Sequence, residues 1–319
     1  ETLELTKAII QKENIDCDLW TGYSFDVAMN DACARTWQET LNAYTADGDN
    51  APELVEWISE SEEAKAVTHC SLAEAAARFP AASLSPYKLA VGLLQLCIER
   101  YGLNLQTGTP VCSVESLGKS WVIKTDRGEI HSNKVIYATN AFTSTLLPEF
   151  EGKITSFRGQ CAGIRPTKTY LDSQMLTHTY CFHFGPPLGI SEAMIQRKDG
   201  TIILCGGRAK AAINDLLGQS DDSVVLSAIS DHLKGALKSY LDGWGIEPEE
   251  DDERVVSEWS GIMGFTPESV PYVGGFKDKP GVFICAGHSG HGMARIMTCA
   301  RGIAKLLQGA SWSETGLPE

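Results

Sequence analysis

Residues 281–307 read GVFICAGHSGHGMARIMTCARGIAKLL and hold the chain's one dense group of glycines and histidines. The apolar run VFICA between glycines predicts a strand. Positions 293, 296, 297, 300, 303, 306 and 307 are apolar at helical spacing. Gly287, His288, Ser289, Gly290, His291, Gly292 and Met293 therefore sit where a strand turns into a helix. Such a junction offers unpaired N–H groups and a partial positive charge, which suits an anion or a polarised carbonyl. Glycine there lets a ligand approach the backbone without meeting a Cβ. An ordinary tight turn needs the same glycines for its backbone angles alone, so both readings stay open. His288 and His291 are each a candidate contact or a packed side chain, and spacing alone makes neither a base.

Other side chains carry chemistry elsewhere. Arg208 closes ILCGGR and is a candidate for gripping a carboxylate, because a guanidinium presents parallel donors. A surface or interdomain ion pair would use it equally well. Arg158 in SFRGQ has the same two readings. His183, His288 and His291 are candidate acids or bases near neutral pH. Tyr180, His183 and Trp259 are candidate pocket walls, and Tyr272 a candidate neighbour of the ligand. The histidines form no HExxH and no Cys/His knuckle, so no metal site is expected. No paired carboxylates and no Ser/His/Asp order name a reaction. Neither GxGxxG nor GxxxxGK[ST] occurs.

Positioning such residues takes a scaffold, and 319 residues suffice for two domains. With 43% apolar and 21% charged residues, the composition is that of a globular protein. A net charge of −14 argues against a nucleic-acid or anionic-membrane surface while leaving room for a local cationic pocket. No uncharged apolar run reaches the roughly 18 residues of a membrane span. The first twenty residues lack the basic and apolar regions of a signal peptide. Ten cysteines lie scattered without a CxxC pair, which reads as buried thiols in a reducing compartment. The expectation is a cytoplasmic protein whose partners are small molecules, with neither nucleic acid nor membrane among them.

The elements follow from periodicity. LELTKAIIQKEN predicts a helix over 1–12, and CDLWTGYSFDVAM a strand over 17–29. Helices are expected over 31–45, within 53–66 and over 71–80, the last from the capping-box pair Ser71 and Glu74 ahead of Pro80. A loop covers 45–53, and Pro86 to Gly102 predicts a longer helix closed by glycine. Three strand-like runs follow, with a hairpin at Asp126–Arg127–Gly128, and VIYATNAF (135–142) ends in a loop placed beside a ligand. From 153 to 275, extended segments and a helix within 221–241 predict an antiparallel sheet with helices on one side. Lys198–Asp199–Gly200 turns a hairpin inside it. The fold class is α/β plus α+β, with the α/β ends bracketing an inserted antiparallel-sheet domain.

With GYSFDVAM (22–29), TPVCSVE (109–115), KVIYATNAF (134–142), SFRGQ (156–160), IQRKDGTIILCGGR (195–208), WSGIMGFTPESVPYVGG (259–275) and GVFICAGHSGHGM (281–293) in order, a pattern emerges. The chain resembles the FAD-dependent D-amino acid oxidase/glycine oxidase superfamily, especially its fungal amine-oxidising members. The resemblance implies a glutathione-reductase-like FAD-binding domain from 1–16, 85–152 and 281–319. It implies a substrate domain from 17–84 and 153–280. FAD contacts are implied at Val111, Ala138, Thr139, Arg158, Gly287, His288, Ser289, Gly290, His291, Gly292 and Met293. Arg208, His183 and His291 become the implied catalytic set, and the implied reaction oxidises a C–N bond of an amine or amino acid.

One departure stands beside the match. The family's βαβ unit with GxGxxG, its ribose-binding acid and its arginine/glycine-rich segment are not found in these residues, so an incomplete FAD-binding domain is expected. Three accounts follow. A longer polypeptide supplies the segment, or a second chain completes the domain. Alternatively, a flavin-free member performs non-redox chemistry on a small polar molecule or only binds it. All three expect 135–142 and 286–293 to lie together around a slot for a tricyclic ring.

Overall fold

The computed structural model describes residues 1–48, 54–173, 176–185, 190–244 and 254–318. The first part runs α1 (Thr2–Glu13), β1 (Trp20–Ala28), α2 (Asp31–Ala46), β2 (Glu56–Ile58), α3 (Ser61–Thr68), β3 (Ala75–Ser83) and α4 (Pro86–Tyr101). Next come β4 (Val111–Leu117), β5 (Ser120–Thr125), β6 (Gly128–Ser132), β7 (Val135–Tyr137) and the single turn α5 (Thr143–Leu146). The central part holds β8 (Thr155–Ile164), α6 (Lys168–Ser173), β9 (His178–His183), β10 (Ser191–Gln196), β11 (Ile202–Cys205), α7 (Ile213–Leu216), α8 (Ser227–Tyr240) and β12 (Val255–Phe265). The last part is β13 (Tyr272–Gly275), β14 (Val282–Ala286), α9 (Ile296–Leu307) and α10 (Trp312–Thr315).

An eight-stranded sheet in the order β12-β8-β11-β10-β9-β1-β3-β2 dominates the molecule. Its neighbours are antiparallel except β1 and β9, which run parallel, so the sheet is mixed rather than purely antiparallel. Successive side chains alternate between faces. Phe25, Val27, Tyr180, Phe182, Met194, Leu204, Ala162 and Ile164 form the main core on one face with Ile229, Leu233, Leu237 and Tyr240 of α8. Trp259, Cys161, Cys205, Ala193, Cys181 and Asp26 occupy facing register positions on the other face.

A second sheet, β13-β14-β7, has its own core of Tyr137, Leu147, Phe150, Ile154, Val282, Ile284 and Ala286. β13 lies in this sheet with β14, so 272–275 leaves the unit to which 153–280 was assigned. A small antiparallel sheet, β4-β5-β6, is fastened to it where Trp121 Nε1 donates to the Pro280 carbonyl at 3.1 Å. α1 and α4 pack together through Ile10, Cys17 and Leu89. Ser85 caps α4 and Gly102 closes it in the left-handed conformation, as a glycine stop requires.

Two local expectations are corrected. Residues 75–83, within and beyond the expected helix 71–80, form strand β3, not a helix. Ala75 and Ala76 are fully buried on opposite faces, and the backbone is paired by β1 and β2, so tertiary packing overrides alanine's helix propensity. Pro80 lies past the β2 pairing at Ala76–Arg78, where the outer edge of β3 needs no donor. Within 53–66 the described residues hold the short strand β2 before α3. Part of the 45–53 loop, 49–53, lies outside the described residues.

The cysteines also differ from expectation. Cys161 and Cys205 form a disulfide between directly facing positions of β8 and β11, with Cα atoms 4.0 Å apart. The remaining eight are free thiols. No spacing rule pairs residues brought together only by strand register. Among the described residues, no helix is long and apolar enough to cross a membrane.

Candidate active site

The glycine–histidine turn is built where three strands end. β7 and β14 run parallel, with Tyr137 beside Ile284. The chain leaves β7 through Ala138 and Thr139 to Asn140, which is left-handed at φ 42°. Asn140 Oδ1 accepts hydrogen bonds from Gly287 N (2.9 Å) and His288 N (3.3 Å). From β12, the Gly264 carbonyl accepts from Ser289 N at 2.8 Å, and Thr266 N donates to Ser289 Oγ at 3.1 Å. Residues 135–142 and 286–293 thus form one unit.

Backbone conformation explains the residue types. Gly287 sits at φ 81°, and a Cβ there would fall 2.6 Å from Thr266 Cγ2. Gly290 sits at φ 75° against Phe265 and Met263. Ser289, between them, is left-handed at φ 52°, a strained state for a residue with a side chain. α9 begins at Ile296, later than the glycine turn, but Ile296 N already donates to the Gly292 carbonyl at 2.7 Å. Residues 292–295 thus form a turn leading into the helix, and Met293, Ala294 and Arg295 line a cleft of about 1270 Å³. Phe79 to Leu84, Tyr272, Trp312 and the start of α1 form its other walls.

The large sheet faces the turn through Met263, whose sulfur lies about 4.0 Å from a Cβ built on Gly290. Beyond Met263, Gly261 stands opposite Gly159 in the β12–β8 register. A Cβ at Gly261 would meet nothing within 4 Å, so space is open above the sheet there.

The family model for FAD dependent oxidoreductases, DAO, matches residues 1–306. The chain belongs to this family. Glycine oxidase of Pseudomonas aeruginosa is 24% identical over 190 residues, covering 59% of this chain and 45% of that protein. Glycine oxidase of Bacillus subtilis is 22% identical over 194 residues, covering 60% and 46%. The matched region thus spans less than half the length of these curated relatives. The structure of glycine oxidase from Geobacillus kaustophilus superposes with a TM-score of 0.75 at 19% identity, covering 97% of this chain and 78% of that one. NikD, an unusual amino acid oxidase, superposes at 0.72 with 15% identity, covering 97% and 79%. These likenesses show an α/β fold with a large mixed sheet.

As a DAO-family chain, its residues can be tested against FAD. His288 Nδ1 is buried with no hydrogen-bond partner, a polar atom that a bound group would satisfy. The left-handed glycines and the space over Gly261 leave backbone open to a flat ring, and Met293–Arg295 line the cleft. Residues that could meet the ring end of FAD are thus present, whereas a GxGxxG cradle for its pyrophosphate is not found in the sequence.

The other candidates of this DAO-family chain are dispersed. Val111 starts β4 in the small sheet. Arg158 is buried, and its guanidinium donates to the carbonyls of Asp215 (2.9 Å) and Asp221 (2.8 Å), so it pins the chain around α7 instead of presenting an open fork. Arg208 follows the Gly206–Gly207 corner beside α8. His291 Nδ1 donates to the Ser289 carbonyl at 2.8 Å, which braces the turn. Tyr180 belongs to the main core, while Trp259 stays partly exposed on the open face. His183 lies beside Asp26 and Cys181 on β1 and β9. Tyr272 lines the cleft and packs edge-on to Phe150.

Asn140 and Glu192 were not singled out in the sequence. Glu192 is the lone acid of the hairpin strand SEAMIQ and is 3% exposed. Its Oε1 accepts from Gly207 N at 3.0 Å and lies 2.7 Å from His232 Nε2, and its Oε2 accepts from Tyr240 Oη at 3.0 Å. An acid inside an apolar strand is the signal that identifies such a group.

Burial, reinforced by the Arg295 charge, holds the His288 imidazole below its ordinary range. The unfolded chain then binds the extra proton first, so folding stability falls as pH drops below about 6.5. His288→Gln should reduce the difference between urea midpoints measured at neutral and mildly acidic pH.

Proposed function

We propose that this protein is an FAD-dependent oxidoreductase acting on a C–N bond of an amine or amino acid. The observation that carries the reading is the Asn140-braced turn Gly287–Met293, whose Met293 lines the cleft, with His288 Nδ1 left unpartnered, in a chain matched by the family over 1–306. When bound, FAD would supply an acceptor for the hydride on the carbon bearing the neutral amine, whose departure gives the protonated imine. Gly287, His288, Ser289, Gly290, Gly292 and Met293 would meet the ring, with His291 bracing them. Ala138 and Thr139 would pass beside it, and Val111 is the candidate for the adenine end. Arg208 is the proposed carboxylate contact and Trp259 a wall.

The pyrophosphate end calls for a partner. β7 is the last strand of its sheet among the described residues, and Ile136 on it is exposed. A βαβ segment carrying a glycine turn, from the same polypeptide or a second chain, is the partner proposed for this edge. It would extend the parallel pairing of β7 and β14.

The test is absorption of the purified full polypeptide after incubation with FAD. Protein-bound flavin should bleach anaerobically with at least one member of an amine and amino-acid panel. Protein that retains no flavin, or flavin that no member of the panel reduces, would overturn the reading in favour of a flavin-free enzyme or a binding protein.

A further inference from the structure

We propose that Asp26, Cys181 and His183 form a binding site for a zinc-type transition-metal ion on the open face of the large sheet. Sequence spacing hides this trio because register assembles it. Asp26 of β1 stands beside Cys181 of β9 in the parallel pairing, and His183 follows two residues later on the same face. One ligand atom from each lies within 4.8 Å of the others, and among the described residues no other trio of His, Cys, Asp or Glu comes so close.

A second observation points to a ligand. His183 Nε2 is buried and has no hydrogen-bond partner. The nearest carboxylate oxygen, Asp26 Oδ2, is 3.6 Å away, which is long for a hydrogen bond. It is close to the roughly 3.4 Å edge of a tetrahedron whose metal–nitrogen and metal–oxygen bonds are about 2.0–2.1 Å. The donors are an imidazole, a thiolate and a carboxylate, a set that selects zinc-like ions over magnesium or calcium. Two anionic ligands around a dication sum to zero charge, which suits a partly buried position. Trp37 packs edge-on to His183 with centroids 5.1 Å apart and restricts the imidazole's orientation. Three protein donors leave a fourth position for water or a small ligand.

A bound ion would clip β1 to β9, strands from widely separated parts of the chain. The site needs no flavin, so its test is independent of the oxidoreductase reading. Chelator-stripped protein in thiol-free buffer is titrated with zinc chloride, and thermal unfolding is followed. The midpoint should rise with metal concentration, because the folded state alone holds the assembled site. Cobalt(II) should produce a thiolate-to-cobalt charge-transfer band. Cys181→Ser, a one-atom change, and His183→Gln should each weaken binding by at least about a hundredfold and abolish the band. Cys112→Ser, at an exposed thiol, should change neither. A wild-type protein with no metal-dependent shift or band, or Cys181→Ser and His183→Gln proteins that bind like wild type, would overturn the proposal.

Discussion

Glu192→Ala should destabilise the protein by about 3–5 kcal/mol, the range for stripping one partner from a buried charged network. The buried carboxylate serves Gly207 N, His232 Nε2 and Tyr240 Oη. Alanine leaves all three without that acceptor, in a pocket water barely reaches, and opens a void beside Gly206. For a chain of this size the thermal midpoint should drop by about 4–8 °C. Glu192→Gln keeps the volume and one acceptor oxygen, so it should lose distinctly less. Urea unfolding of the two variants checks the ordering. Equal losses would mean that packing, not the acceptor, holds the Gly206–Gly207 corner that carries Arg208.

The second large effect is expected at Gly287. Alanine there must adopt φ 81° and must also displace Thr266, whose methyl would be 2.6 Å from the new Cβ. Left-handed strain of about 1–3 kcal/mol adds to overpacking of similar size. Relief by backbone movement would break the bond from Gly287 N to Asn140 Oδ1. The expected outcome is a loss of about 2–5 kcal/mol together with lost flavin retention. Urea unfolding and the flavin-to-protein absorbance ratio measure the two separately. A variant with wild-type stability would show that the turn relaxes freely and does not depend on the Gly287 conformation.

Local signals were legible where one chain segment carries the whole cause. The Gly102 stop of α4, the hairpin turn at Lys198–Asp199–Gly200 and the apolar strand before Gly287 are of this kind. The juxtaposition of 135–142 with 286–293 followed from the resemblance to a family. What stayed hidden depends on pairing across distance. Alanine-rich 75–83 has no period that separates strand from helix until β1 and β2 cover it. Cys161 meets Cys205, and Asp26 meets Cys181, only because of strand register. Arg158 stayed open between a ligand fork and a structural pairing because nothing local shows that the Asp215 and Asp221 carbonyls occupy it.

The parallel contact of β1 with β9 also sets a timetable for synthesis. Ala28 emerges from the ribosome roughly 150 residues before His178, an interval of about 8–30 s at ordinary elongation rates. Throughout it, one edge of β1 has no native neighbour, although β3 can already pair with the other. A β1–β3 pair with a bare flank is the shape that recruits stray strands, so protection of this edge waits on the synthesis of β9.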